Sequence, residues 1–100
     1  RNKAAILHSL GLSYVRQKQI TAALDYLQQA VDEPDSTPRY SYVYAIALHS
    51  EGRSSEAIRV LEQALARYGD DREILSALIS IHAELGDNEQ SNSYKQRLMY

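Results

Sequence analysis

Apolar residues recur along the chain with the spacing of one face of an α-helix. They lie three and four positions apart in residues 22–31, and residues 57–68 repeat the spacing. The alternating tyrosines of residues 40–44 resemble a strand, but Pro38 before them and the apolar residues that continue to Leu48 favour a helix. We therefore predict an all-α chain with helices over 3–17, 20–33, 38–51, 54–68, 71–85 and 88–99.

The apolar pattern also repeats at an offset of 34 residues. At this offset Ala23 falls on Ala57, and Leu27 falls on Leu61. A period of this length with two apolar blocks per unit is typical of stacked helical hairpins. Because the chain starts at Arg1, we expect a piece of a longer protein. The prediction is a single domain over residues 1–100, with repeats at 4–37, 38–71 and 72–100.

Polar residues mark the expected helix starts. Thr37 precedes a proline and is predicted to be an N-cap. Asp70 and Glu73 have the spacing of a capping box for the fifth helix. Ser54 or Ser55 is expected to cap the fourth helix after a glycine turn.

Two motifs in the first unit connect the chain to a known family. Residues 7–14 follow Leu-x-x-Leu-Gly-x-x-Tyr and residues 23–30 follow Ala-x-x-x-Leu-x-x-Ala, and together they resemble the tetratricopeptide signature. Leu7 stands in place of the usual tryptophan, and Leu27 in place of the usual phenylalanine. The resemblance covers essentially the whole chain. It implies a right-handed α-solenoid of three tetratricopeptide hairpins and six helices.

Residue size along the repeats indicates how the helices pack. Small residues are expected where the two helices of a hairpin approach closely, and larger ones between neighbouring hairpins. Of the three clustered tyrosines, Tyr40 and Tyr44 are expected in the core and Tyr42 on the surface. The small positions are Gly11, Ala23, Ala45 and Ala57, and the large ones are Leu10, Leu27, Tyr44 and Leu61.

The last helix departs from the family pattern. Ser91 and Lys95 replace the small and large apolar residues, and most of their neighbours are polar. We predict a polar cap that ends the stack, since terminal repeats need a soluble outer face. A frayed end is the alternative. Tyr94 and Leu98 still give this helix one apolar edge.

The family resemblance implies a binding surface. In tetratricopeptide arrays the first helix of each hairpin lines a concave groove that holds a peptide or protein partner. The alternative is that Leu12 and Ile46 are partly core and that Tyr42 is simply an exposed aromatic residue. By position the groove residues are His8, Leu12, Val15, Arg39, Tyr42, Ile46, His49, Glu73, Ser76 and Ser80.

One specialised ligand class is not expected. Chaperone-binding members of the family hold a carboxylate with lysine, asparagine and arginine side chains. None of these residue types occurs at the corresponding positions, which are His8, Leu12, Val43, Glu73 and Ala77.

Other chemistry finds little support in the sequence. The net charge of −2 is spread along the chain without a basic stripe, which argues against a nucleic-acid partner. The chain has no cysteine and no apolar run long enough for a membrane span. His8, His49 and His82 lie on separate helices without ligand-spaced neighbours. We expect no enzyme activity, no metal and no cofactor.

These observations favour a protein-interaction scaffold. An alternative is a structural or docking arm of a larger exported bacterial protein, because residues 10–17 and 38–53 are similar to the C-terminal repeats of multihaem cytochrome c–tetratricopeptide proteins. That similarity implies a periplasmic location, whereas the absence of cysteine is equally compatible with the cytoplasm. An open end of the stack would also allow a weak homodimer.

Overall fold

A computed structural model describes residues 2–99, which form six α-helices and no strand. The alternating tyrosines belong to the third helix, and every helix begins and ends within one residue of its predicted bounds. The all-α prediction is confirmed. The helices are α1 (Lys3–Arg16), α2 (Ile20–Asp32), α3 (Pro38–Ser50), α4 (Ser54–Tyr68), α5 (Arg72–Glu84) and α6 (Asn88–Met99).

The helices pack as three successive hairpins. Each odd-numbered helix packs against the even-numbered helix that follows it, while α2 contacts α3 and α4 contacts α5 across the hairpin boundaries. In addition, α3 contacts α5 directly, so the first helices of the second and third hairpins lie side by side. The molecule measures 36 × 28 × 16 Å. This stacking is the helical-repeat architecture that the sequence predicts.

Small residues lie at the hairpin contacts. Ala45 and Ala57 are 0% exposed, and Ala23 is 1% exposed. Gly11 is buried in α1 against α2, and a Cβ atom there would lie 2.6 Å from Cδ2 of Leu27. The predicted close approach of two helices is confirmed at Gly11 and Ala23, and Ala45 and Ala57 are buried.

The predicted core is correct except at Leu10 and Tyr40. Leu27, Leu61 and Tyr44 belong to the buried cluster, but Leu10 is 40% exposed. The prediction for Leu10 was wrong because its repeat equivalents are covered by a preceding hairpin, and none precedes α1 among residues 2–99. Tyr40 is half-buried, outside the buried cluster, and its ring stacks on His8 with centroids 4.3 Å apart.

The N-cap of α5 lies one residue later than predicted, and no capping box forms because Ile74, the third helical residue, has no polar side chain. Asp71 is the N-cap, and its carboxylate accepts a hydrogen bond from the Ile74 N–H at 3.0 Å. Asp70 instead pairs with Arg97 on α6. The guanidinium group of Arg97 holds the pKa of the Asp70 carboxyl below its usual value. Asp70 therefore joins α5 to α6 through an exposed ion pair and does not cap α5.

Of two further capping predictions, the one for α4 is wrong and the one for α3 is confirmed. The N-cap of α4 is Arg53, which makes no capping bond with its side chain, and the hydroxyl of Ser54 is bonded to His49. Thr37 is the N-cap of α3 as predicted, but its hydroxyl makes no capping bond. The Thr37 carbonyl accepts from the Tyr40 N–H instead. Both helices start from backbone contacts rather than from serine or threonine side chains.

Most polar residues of α6 face solvent, and one lies at the contact with α5. Ser91 is 2% exposed, and its hydroxyl donates to the carbonyl of Ile79 at 3.1 Å. Tyr94 is 7% exposed in the core, whereas Lys95 faces solvent. The helix continues to Met99. It is therefore an ordered polar cap, as predicted, and not a frayed end.

Candidate functional site

The neighbouring helices α3 and α5 border a shallow depression of about 430 Å³. Exposed and half-buried side chains of both helices point into the same space, and Ile46 is 36% exposed at its edge. Six of the ten predicted groove residues line this depression: Tyr42, Ile46, His49, Glu73, Ser76 and Ser80.

A second, mainly apolar depression of about 250 Å³ adjoins the first at Ile46. It lies between α1, α2 and α3, and it takes in Leu12 and Val15, two more of the predicted groove residues. Val15 is 37% exposed. We call the two depressions together the α1–α3–α5 face. Its walls are aliphatic at the α1 side and largely polar at the α5 side.

An ion pair stands at the end of the face where α3 and α5 begin. The Arg39 guanidinium group is bonded to the carboxylate of Glu73, which occupies the same position in the next repeat. The guanidinium carbon also lies 5.4 Å from the centroid of the Tyr42 ring, within the range of a cation–π contact. Arg39 lines neither depression, but it restricts the Tyr42 ring from one side.

His8 is likewise outside both depressions. Its ring stacks on Tyr40, and its Nδ1 atom is buried without a hydrogen-bond partner. Burial lowers the pKa of His8, and the positive charge of Arg39 lowers it further. A neutral imidazole packed between the first and second hairpins is therefore the favoured state of this residue. Its position suits packing better than contact with a ligand.

At the other end of the face, His49 connects three helices. Its Nδ1 atom lies 2.7 Å from the hydroxyl oxygen of Ser54 at the start of α4, and its Nε2 atom lies 2.7 Å from a carboxylate oxygen of Glu84 at the end of α5. Neither partner is predicted from the sequence, in which His49 has no ligand-spaced neighbour. Glu84 follows it by 35 residues, one more than the repeat period, so an alignment at the period alone does not pair them.

The Ser54–His49–Glu84 chain has the group types of a hydrolase triad but differs from it in geometry. In such triads the serine bonds Nε2 and a buried acid bonds Nδ1. Here the connections are reversed, and the Glu84 side chain is 64% exposed. The arrangement does not prepare Ser54 for nucleophilic attack. It ties α3 to α4 and α5.

Three residues that line the face are not predicted from the sequence. Arg72, in the first turn of α5, lines the polar depression. Ile20 and Leu24 line the apolar depression, although they belong to α2, the second helix of its hairpin. The apolar pattern of α2 indicates which residues are buried. It does not distinguish residues that line a surface depression from residues in the closed core.

Two kinds of site are not found in the described part of the chain. Among residues 2–99, no group of three or more histidine, cysteine, aspartate or glutamate side chains is placed to hold a metal ion. Over the same range, none of the helices combines the length and apolar character needed to cross a membrane.

Comparison with known proteins identifies one family. A family model described as tetratricopeptide repeat matches residues 8–71 and, in a second overlapping match, residues 50–91. The two matches together span most of the six helices. No curated protein matches the chain.

Proposed function

Because the chain belongs to the tetratricopeptide repeat family, whose members are generally non-catalytic protein-interaction modules, we propose that it binds a peptide segment of a partner protein on the α1–α3–α5 face. The observation that carries the proposal is the continuity of this face. Side chains from three hairpins meet in two adjoining depressions that share Ile46. Stacked repeats commonly use such extended surfaces for binding.

The composition of the face supports this function. Protein-binding sites concentrate their affinity in a few aromatic and aliphatic residues surrounded by polar ones. Tyr42 is braced by Arg39, and Ile46 and Val15 are more than a third exposed although they are aliphatic. Braced side chains lose little conformational entropy when a partner binds. We therefore place the centre of the contact at Tyr42 and Ile46.

A site-specific crosslinking experiment tests the proposal. A photoreactive phenylalanine analogue replaces Tyr42 in one variant and Arg59, an exposed residue of α4, in the control. A partner that crosslinks from position 42 but not from position 59 is then purified, and its affinity is measured by calorimetry. The Tyr42→Ala/Ile46→Ala double variant should lose binding at least tenfold while keeping its helical circular dichroism. Equal crosslinking from both positions, or unchanged affinity of the double variant, would refute the placement.

Self-association is the second candidate function, and the exposed start of the stack favours it. Ile6 and Leu10 are 60% and 40% exposed, whereas Ile74 and Leu78, their equivalents two repeats later, are 0% exposed. A second copy of the chain would cover this apolar patch of α1. Sedimentation equilibrium would then show a concentration-dependent dimer that the Leu10→Lys variant lacks. A wild-type chain that stays monomeric at millimolar concentration would exclude this function.

A further inference from the structure

The apolar depression of the α1–α3–α5 face has the character of a pocket for a single side chain. Its volume of about 250 Å³ corresponds to about eight water molecules, which is enough for one large aliphatic or aromatic side chain. The polar residues that border it are Ser50 and Glu51. The walls are formed by Leu12, Val15, Ile20, Ala23, Leu24, Leu27, Val43, Ile46 and Ala47.

Negative charge borders this pocket where α3 and α5 end. Glu51 on the rim is exposed and forms no ion pair within residues 2–99. Arg53, two residues later, does not neutralise the charge of Glu51, because its guanidinium group donates both of its hydrogen bonds to the carboxylate of Glu56. Glu84 is 64% exposed, and among residues 2–99 its carboxylate is bonded only to His49. The carboxyl ends of α3 and α5 add the negative ends of their helix dipoles.

Positive groups of the face lie elsewhere. Arg72 precedes Glu84 by three turns of α5, which places it about 18 Å away along the helix. Arg16 and Lys18 stand at the end of α1, next to the pocket-lining Val15 and Ile20, so the negative region is limited to the side of the pocket that faces α5. A ligand that fills the apolar pocket and continues toward α5 therefore meets Glu51 and Glu84 before it meets a free cation.

We propose that the segment bound on this face carries a large apolar side chain, which enters the pocket between α1, α2 and α3, and a basic side chain toward α5, which pairs with Glu51 and Glu84. Neighbouring helices are about 8–10 Å apart, and an extended chain advances about 3.4 Å per residue. Side chains two positions apart in an extended chain point to the same side, so the basic residue follows or precedes the apolar one by about two positions. This inference rests on the proposed function and specifies the partner's chemistry.

Three short peptides of glycine and serine test the proposal by titration against the labelled protein, with amide chemical shifts as the readout. The first contains leucine and, two positions away, arginine. The second has glutamate in place of the arginine, and the third has alanine in place of the leucine. The leucine–arginine peptide should bind at least fivefold more tightly than either of the others. It should shift the amides of Val15, Ile46 and Ala47.

Charge variants distinguish pairing with Glu51 and Glu84 from a general effect of the protein's negative charge. The Glu51→Gln/Glu84→Gln variant should bind the leucine–arginine and leucine–glutamate peptides equally. The Asp32→Asn/Glu89→Gln control removes the same amount of charge from exposed positions off the face and should keep the fivefold preference. Since exposed charges are screened, the preference should also shrink at high salt.

The outcomes distinguish this inference from the proposed function. If the leucine–glutamate peptide binds as tightly as the leucine–arginine peptide, or if the preference survives in Glu51→Gln/Glu84→Gln, the basic-residue inference is overturned while binding on the face stands. If no peptide shifts any amide of the face at millimolar concentration, the inference and the proposed function both fall.

Discussion

Replacing Gly11 by alanine tests the close approach of α1 and α2, because two effects of opposite sign meet at this position. In a helix interior, alanine is more favourable than glycine by about 0.5–1 kcal/mol. An added Cβ would lie 2.6 Å from Cδ2 and 2.7 Å from Cγ of Leu27, which is 1% exposed. Carbon atoms pack best at about 3.5–4.0 Å, so Leu27 or the whole of α2 must move.

The steric cost should exceed the gain in helix propensity. Overpacking a tightly packed core costs about 1–3 kcal/mol. The same Cβ would lie 3.3 Å from the carbonyl oxygen of Ala23, a backbone atom of α2, and this contact limits how the pair can relax. We expect the Gly11→Ala variant to lose about 1–2 kcal/mol of unfolding free energy. That loss corresponds to a melting temperature about 5–15 °C lower.

Urea unfolding followed by far-ultraviolet circular dichroism measures the effect, with the m-value serving as a check on two-state behaviour. Ser9→Ala is the matched control, since Ser9 is an exposed residue of the same helix. It should change the unfolding free energy by less than about 0.5 kcal/mol. Gly11→Ala should also cease to destabilise in a Leu27→Ala background, where the obstructing atoms are absent. A Gly11→Ala variant that is more stable than the wild-type protein would refute the reasoning.

Two further predictions concern an N-cap and a buried imidazole. Asp71→Ala should lower the unfolding free energy by about 0.5–2 kcal/mol, because it removes the N-cap of α5. Asp70→Ala should change the unfolding free energy little, because the ion pair of Asp70 is exposed. If urea unfolding shows a larger loss for Asp70→Ala than for Asp71→Ala, Asp70 is the N-cap after all. His8 has a pKa below 6.5 in the folded protein, so below that pH the unfolded chain binds more protons and stability falls as pH falls. The His8→Phe variant keeps the ring stack, and it should lose less stability than the wild-type protein between about pH 7 and pH 5. If the melting temperatures of the two proteins change in parallel with pH, this prediction is wrong.

The helices and their order were predictable because two independent signals in the sequence agree. The spacing of apolar residues indicates helices, and the offset of 34 residues repeats that spacing in register. The caps were less predictable for a physical reason. Asp70 and Asp71 are chemically identical neighbours, and only the extended backbone of Asp71, with φ −73° and ψ 133°, makes it the N-cap. The backbone conformation at Asp71 depends on the path of the turn between α4 and α5.

The candidate site was predictable only where a residue's position in the repeat determines its face. Tyr42 and Ser76 occupy equivalent positions, and both line the depression between α3 and α5. The His49 contacts were missed since they join helix ends at separations of 5 and 35 residues. His8 has a groove position in the repeat but stacks on Tyr40. Aromatic stacking between hairpins depends on side-chain size at both positions, which the period does not encode.

The last helix shows that contacts within a hairpin and contacts between hairpins place separate demands on the sequence. Ser91 occupies the small position, and its hydroxyl is satisfied by the carbonyl of Ile79, so α6 can still approach α5 closely. Lys95 occupies the large position and is exposed, whereas the equivalent Leu61 in the second hairpin is 0% exposed. The helix therefore meets the first demand and not the second. Because Ser91 and Lys95 are four residues apart, they lie close together on the helix surface, so the two demands act on neighbouring positions of α6 and not on opposite sides of it.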